Sequence, residues 1–565
     1  MRKLSFMMVA LTLSLGASPS FAASRAAGEW PSVDKQLRQS RVEPGSALEA
    51  LILDNQDFKM LRAAERNDKI PVPLWLRVYW RKGHPESNYS AADPTGGYPL
   101  VLKEVYEWML THQDLRPSSA DEPKAPLLEA DADADALRPV TAASTVGGNA
   151  RVSGAQTVPR SESDVRINFL NPLKIIVASN NIGGSGQQAQ YFSSDGGVTW
   201  GQSFLPLVST DSFHSDPAVD WTSDGTAWST TIGIRGNTLK MRAYKSTNGG
   251  QTWTFDNTFS GTQKNTDKEL MWVDHSATSP FKDFIYACWH NGNPAYANRR
   301  NGPAGAWLAN PVQVSGAEST GTAIGCDVKT NSAGDAFVFW PTTGNSRIVV
   351  AKSTNGGSTW GTPKVIATTF DSYDIGIPSM ASRRALIYVS GGAYKTVTLN
   401  NVYATWVDQT GVAGCNSPAN EPGTNAASAC TSRVWFARST DGGTTWSAPA
   451  MINNQASKND QFNQWMGVDE TTGRLAVIYY DTVGDAGRKK TDVWYQTSID
   501  NGATWSAAVK ITAGMTDETV AGADSGNQYG DYNSLSIFAG KIFPSWTDRR
   551  SGGHEEIWTA PITEP

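Results

Sequence analysis

The chain has 565 residues, a formal net charge of -6, and 39% hydrophobic against 18% charged side chains. That length points to one large domain accompanied by something smaller, and the acidic balance leaves no basic face, which excludes nucleic acid as the main partner. The 21 tryptophans and 52 glycines suit many short strands joined by tight turns.

Residues 1–22 read as a secretory signal peptide. Arg2 and Lys3 precede an apolar run from Phe6 to Leu15, and small residues lead to Ser20-Phe21-Ala22. The run is too short to span a bilayer and no later segment is apolar enough, so no integral membrane segment is expected after cleavage. The expectation is a secreted or periplasmic protein.

Residues 23–120 read as a separate N-terminal α or α+β domain. Ser46 and Glu49 form a capping box ahead of Leu48, Leu51, Ile52, Phe58 and Leu61, and a second helical spacing joins Leu102, Val105, Tyr106, Met109 and Leu110. It carries no catalytic motif, and its expected use is docking of a protein partner. The sequon Asn88-Tyr89-Ser90 carries no weight. Residues 121–161, rich in Ala, Asp, Pro, Ser and Gly, read as a flexible linker.

From 162 to 565 the chain repeats. Ser193-Ser194-Asp195-Gly196-Gly197-Val198-Thr199-Trp200 returns at Ser246 to Trp253, Ser353 to Trp360, Ser439 to Trp446 and Ser498 to Trp505. Each copy follows a strand-like run, such as Val434 to Arg438, and precedes another. Chemically it is a hairpin turn: Asp or Asn accepts backbone N–H groups, Gly takes positive φ, and Trp covers the bend. The serines are spaced 53, 107, 86 and 59 residues apart, so the gap of 107 conceals a decayed copy near Asn298 to Trp307. Repeats of roughly 50 residues signal propeller blades.

The pattern S-x-[DN]-x-[GA]-x-T-W resembles the Asp box of the sialidase and bacterial-neuraminidase-repeat superfamily. The resemblance implies an all-β Asp-box propeller after the N-terminal domain. Seven unit starts, near Asp164, Asp216, Asp267, Cys326, Ile377, Gln464 and Tyr532, favour seven blades, with six open if a terminal unit completes its neighbour.

Four cysteines in an exported chain suit two disulfides. Cys415 and Cys430 bracket a polar insertion, and closing that loop is worth about 3 kcal/mol in the chain-entropy model. Cys288 and Cys326 suit either a disulfide or two buried thiols. With no C-x-x-C spacing, zinc is not indicated, and no cofactor is expected.

Strand parity places the chemistry. If strands A to D of each blade run antiparallel outward, the repeated turns are C–D turns, and a site opposite them is built from the starts of A strands and the ends of B strands. The starts offer Asp216, Asp267, Glu269, Tyr529 and Asp531, and the ends offer His290, Asp481, Asp548, Arg549 and Arg550. Carboxylates, rings and guanidinium groups at one mouth suit a glycan ligand.

The resemblance implies three arginines on a substrate carboxylate, a tyrosine nucleophile backed by glutamate, and an aspartate acid/base. The sequence departs from that set: Val165-Arg166-Ile167-Asn168 lacks the aromatic and proline of the first arginine motif, and no acid lies between Asp164 and Asp195. Asp216 stands as the replacement acid/base, with Tyr529 or Asp531 opposite, and Arg383, Arg384, Arg549 and Arg550 as guanidinium sources. One reading is a glycoside hydrolase like an exo-α-sialidase, with its two groups roughly 5 to 9.5 Å apart. The other is a non-catalytic propeller that binds a glycan or protein partner through the same mouth.

Overall fold

The computed structural model describes residues 144–564 apart from 317–322, 381, 454 and 456. The signal peptide, the N-terminal domain with its sequon, and the first part of the linker lie outside the described residues. All described residues fall within the compact unit that takes in Pro139–Pro565.

Seven antiparallel sheets form the blades of a propeller. Their innermost strands are Asp164–Ile167, Phe213–Trp221, Thr266–Val273, Asp327–Thr330, Ser390–Lys395, Gln461–Val468 and Ser534–Phe538. Each of these packs on the next in chain order, and the seventh returns to the first, which closes the ring. The second strands are covered on both faces by neighbouring blades. They therefore read as continuous apolar runs such as Ala336 to Trp340 and Ala476 to Tyr480, every residue of which is buried.

The fifth blade begins later than the repeat spacing suggests. Residues near Ile377 belong to a small separate hairpin, Asp374–Ile375 with Ala385–Leu386, and the blade's first strand starts at Ser390. The seventh blade is shared between distant parts of the chain. Thr145–Val146 pairs with Ile562–Thr563, and Ala150–Arg151 pairs with Thr559 and Trp558. Arg151 Nη2 donates to Glu556 Oε1 at 2.8 Å across that seam.

The serine and the Asp or Asn of the repeated turns bond alike in all five copies, and the tryptophan indole joins them in the first two. Ser193 Oγ accepts the Gly197 N–H at 2.8 Å, Asp195 Oδ1 accepts the Thr199 N–H at 2.9 Å, and Trp200 Nε1 donates to the Gly197 carbonyl at 3.1 Å. Ser246, Asn248 and Trp253 repeat these bonds at 2.9, 3.0 and 3.0 Å. Each turn also docks on the preceding blade through its second small residue. A Cβ on Gly197 would lie 2.6 Å from Phe543, and one on Gly502 2.3 Å from Phe436. The decayed copy keeps its tryptophan: Trp307 is buried, stacked on Phe259 with centroids 4.2 Å apart.

Both cysteine pairs are disulfides. Cys415–Cys430 closes the insertion of blade 5, and Cys288–Cys326 ties the second strand of blade 3 to the entry of blade 4.

Candidate functional site

The entry to the innermost strand recurs as a kink. Glu162, Asp216, Lys268, Gly325 and Asn463, each just ahead of or early in an inner strand, have φ of 54, 51, 53, 64 and 45°. In blades 2, 3 and 6 the strand register slips at this point, the mark of a β-bulge. A left-handed residue with a side chain is disfavoured in an open chain, so the surrounding structure holds it there.

Three of these residues meet at the mouth opposite the repeated turns. Lys268 and Arg383 both pair with Asp531, and Arg383 Nη2 lies 3.7 Å from Glu162 Oε1. Glu162 also accepts from Asn180 Nδ2 at 2.7 Å and from the Asp531 N–H at 3.1 Å. Asn180 Oδ1 in turn accepts the Asp216 N–H at 2.9 Å, and Asp216 Oδ1 accepts from Ser215 Oγ at 2.7 Å. Arg383 is carried in by the hairpin between blades 4 and 5, and its own N–H bonds Gln528 Oε1 at 2.9 Å.

Burial sets the protonation of this cluster. It pushes Glu162 up to about 7, with Asp216 adding to the rise and Lys268 and Arg383 opposing it. Burial, again with Asp216, lifts Asp267 to about 6. Glu269 is completely buried, neither carboxyl oxygen has a hydrogen-bond partner among the described residues, and burial next to Asp216 holds it well above its ordinary range. His290 goes the other way: burial, helped by Lys268, lowers it to about 4. Its Nδ1 accepts the Gly325 N–H at 3.1 Å, which leaves the proton of the neutral ring on Nε2. Tyr373, also on the hairpin side, has an unpartnered buried hydroxyl in the field of Asp267 and Arg383.

Of the residues read from the sequence, Asp216, Asp267, Glu269, His290, Arg383 and Asp531 thus come together. The others stand elsewhere. Tyr529 is wholly buried between Phe462 and Tyr480, its hydroxyl 3.3 Å from Thr491. Arg384 turns outward to Asp374 and Glu421. Asp481 accepts from Asn459 at 2.6 Å and Gln461 at 3.1 Å within blade 6. Asp548 holds Trp546 Nε1 at 3.0 Å and pairs with Arg550, while Arg549 Nε lies 3.4 Å from Glu555. Of the four arginines named from the sequence, Arg383 alone joins the mouth.

Glu162, Asn180 and Tyr373 were missed by sequence reasoning. Glu162 is the acid that blade 1 contributes, from two residues ahead of its strand. The equivalent places in blades 2 and 3 hold Asp216 and Lys268, so aligning strand entries rather than strands is the signal that finds it.

Neither a protein-family model nor a curated protein matches the chain. Among solved structures it is similar to a protein of unknown function from Dyadobacter fermentans, at 14% identity over 75% of this chain and 99% of that one, TM-score 0.39. It is also similar to an α-L-arabinofuranosidase from Fusarium graminearum, at 14% identity over 62% of this chain and 92% of that one, TM-score 0.39. The NanB sialidase of Streptococcus pneumoniae aligns at 10% identity over 60% of this chain and 67% of that one, TM-score 0.39. These likenesses do not bear on the chemistry of the mouth.

Proposed function

We propose that the protein is an exported glycan-active enzyme, a glycoside hydrolase whose reaction runs at the propeller mouth. The observation that carries this reading is the division of labour among clustered carboxyl groups. Asp267, partly exposed, is raised to about 6 by burial and by the neighbouring Asp216, so that it holds its proton up to that pH, and Lys268 and Arg383 pair with Asp531 beside them. One carboxyl group held above its ordinary range beside a second is an arrangement suited to acid/base cleavage of a glycosidic bond. Asp267 is the proton donor in this scheme, Asp216 the carboxylate working with it, and His290 Nε2–H a neutral donor toward a sugar hydroxyl. Two disulfides and the N-terminal charge pattern support export.

The test is turnover on a panel of neutral, uronic and sialylated glycans, with Asp267→Asn and Asp216→Asn compared with the unsubstituted chain. Loss of turnover by about 10²- to 10⁴-fold with retained folding supports the assignment. Binding of glycans with no turnover across the panel would replace it with a non-catalytic lectin-like role at the same mouth.

A further inference from the structure

The innermost strands enclose a second space, walled by none of the mouth's charged residues. It offers about 40 Å³, where one water needs roughly 10–15 Å³ of such room. Its charged walls are Arg166 from blade 1, Lys329 from blade 4, His275 from blade 3 and Glu470 from blade 6, with Trp272 and Trp465 as rings. Arg166 Cζ lies 5.6 Å and Lys329 Nζ 4.8 Å from the centroid of Trp272, so both cations rest on one indole.

The donors here are not used up. Arg166 is 4% exposed, and its Nε–H has no partner among the described residues. Its Nη1 is occupied by Asp164 at 2.7 Å, the Val165 carbonyl at 2.6 Å and Ser534 at 3.2 Å. Lys329, 5% exposed, bonds Asp327 at 2.5 Å and the Val328 carbonyl at 3.2 Å, two acceptors for the three donors of an ammonium. Burial draws Lys329 below its ordinary range against the pull of Asp327, and Arg166 adds to the fall.

The nearby carboxylates do not fill the gap. Asp164, Asp220 and Asp327 lie in the seams between blades, where their second oxygens accept the N–H groups of Val219 at 2.8 Å, Val273 at 2.8 Å and Gly391 at 2.7 Å. None of the three lines the space; Glu470 does, and it is engaged by His275 at 2.8 Å. Each cation on the walls is thus paired from behind or across by a carboxylate, and what is left over is donor capacity, the Arg166 Nε–H and one Lys329 N–H. A buried guanidinium N–H left without an acceptor costs more than its bond would contribute.

We propose that the central channel binds a small inorganic anion of halide size between Arg166 Nε and Lys329 Nζ. The space has room for about three waters, and a halide with an accompanying water fits it.

The test is diffraction from crystals of the unsubstituted protein grown in bromide, read by anomalous scattering, together with melting temperatures in chloride or gluconate at equal ionic strength. The expected results are a bromide peak within hydrogen-bond distance of Arg166 Nε, and a melting temperature about 2–4 °C higher in chloride. Lys329→Met should abolish that chloride increment. A channel without anomalous signal while surface sites show it overturns the proposal, as does an equal chloride increment in Lys329→Met. If Lys329→Met does not fold, the bromide map decides alone.

Discussion

His275 Nδ1 lies 2.8 Å from Glu470 Oε2, although the two residues sit on blades 3 and 6, which are not neighbours in the ring. The pair spans the channel at the end formed by the A–B turns, and His275 Nε2 is held in turn by Asp220 Oδ1 at 2.9 Å. Burial disfavours the charged imidazole, but Asp220 and Glu470 outweigh it and raise the group from 6.5 to about 10.

A raised histidine contributes stability that is complete below pH 6.5 and is lost as the pH climbs through 10. Urea midpoints between pH 7 and 10 should therefore fall for the unsubstituted chain. In His275→Gln the decline should flatten, with stability at pH 7 lower by about 3 kcal/mol, since a buried partner is left unpaired. Parallel pH profiles for the two proteins would mean that the bridge does not form.

At the mouth, the general-acid role of Asp267 makes turnover depend on its protonated form. Since Asp267 sits at about 6, kcat should decline on the alkaline side of that value. Asp267→Asn should lower kcat by about 10²-fold or more and remove the alkaline limb from whatever rate remains. An unchanged limb in the variant would transfer the role to Glu162, raised to about 7.

Two glycines with similar backbones separate strain from docking. Gly502 has φ of 77° and a Cβ there would lie 2.3 Å from Phe436 of the preceding blade, whereas Gly552 has φ of 80° and no heavy atom within 4 Å. Gly552→Ala should cost about 1 kcal/mol of backbone strain. Gly502→Ala should cost about 3 kcal/mol, because the turn must also leave its neighbour. Equal shifts in chemical denaturation would show that the turns do not interlock.

The disulfides span 15 and 38 residues. Replacing Cys415 and Cys430 by serine should cost about 3 kcal/mol, and replacing Cys288 and Cys326 about 4 kcal/mol, in the chain-entropy model. Denaturation of the two double variants, side by side, checks the order.

The blades were legible because their turns carry their own chemistry. Ser193, Asp195, Gly197 and Trp200 bond within eight residues, so the motif survives translation from sequence to structure without help from afar. The start of blade 5 was not legible at Ile377, since nothing local distinguishes the hairpin 374–386 from an inner strand. In the site, parity of strands sufficed for Asp216, Asp267, Glu269 and His290. It failed for Glu162, whose direction is decided by a left-handed backbone of 54° rather than by alternation. It also failed for Tyr529, which parity brings to the mouth and packing turns inward against Tyr480. Arg383 and Arg384 are adjacent in sequence yet serve opposite sides of one hairpin, a choice made by Asp531 and Glu421 across the fold.

Because Thr145–Val146 and Ala150–Arg151 hybridise with residues 558–563, the ring has a latch whose two halves are synthesised more than 400 residues apart. The first-made half must wait with open edges until the last emerges. A polypeptide stalled or clipped before Glu556 would keep six assembled blades and an unlatched seventh, a species exposed to strand exchange with another copy until it is finished or removed.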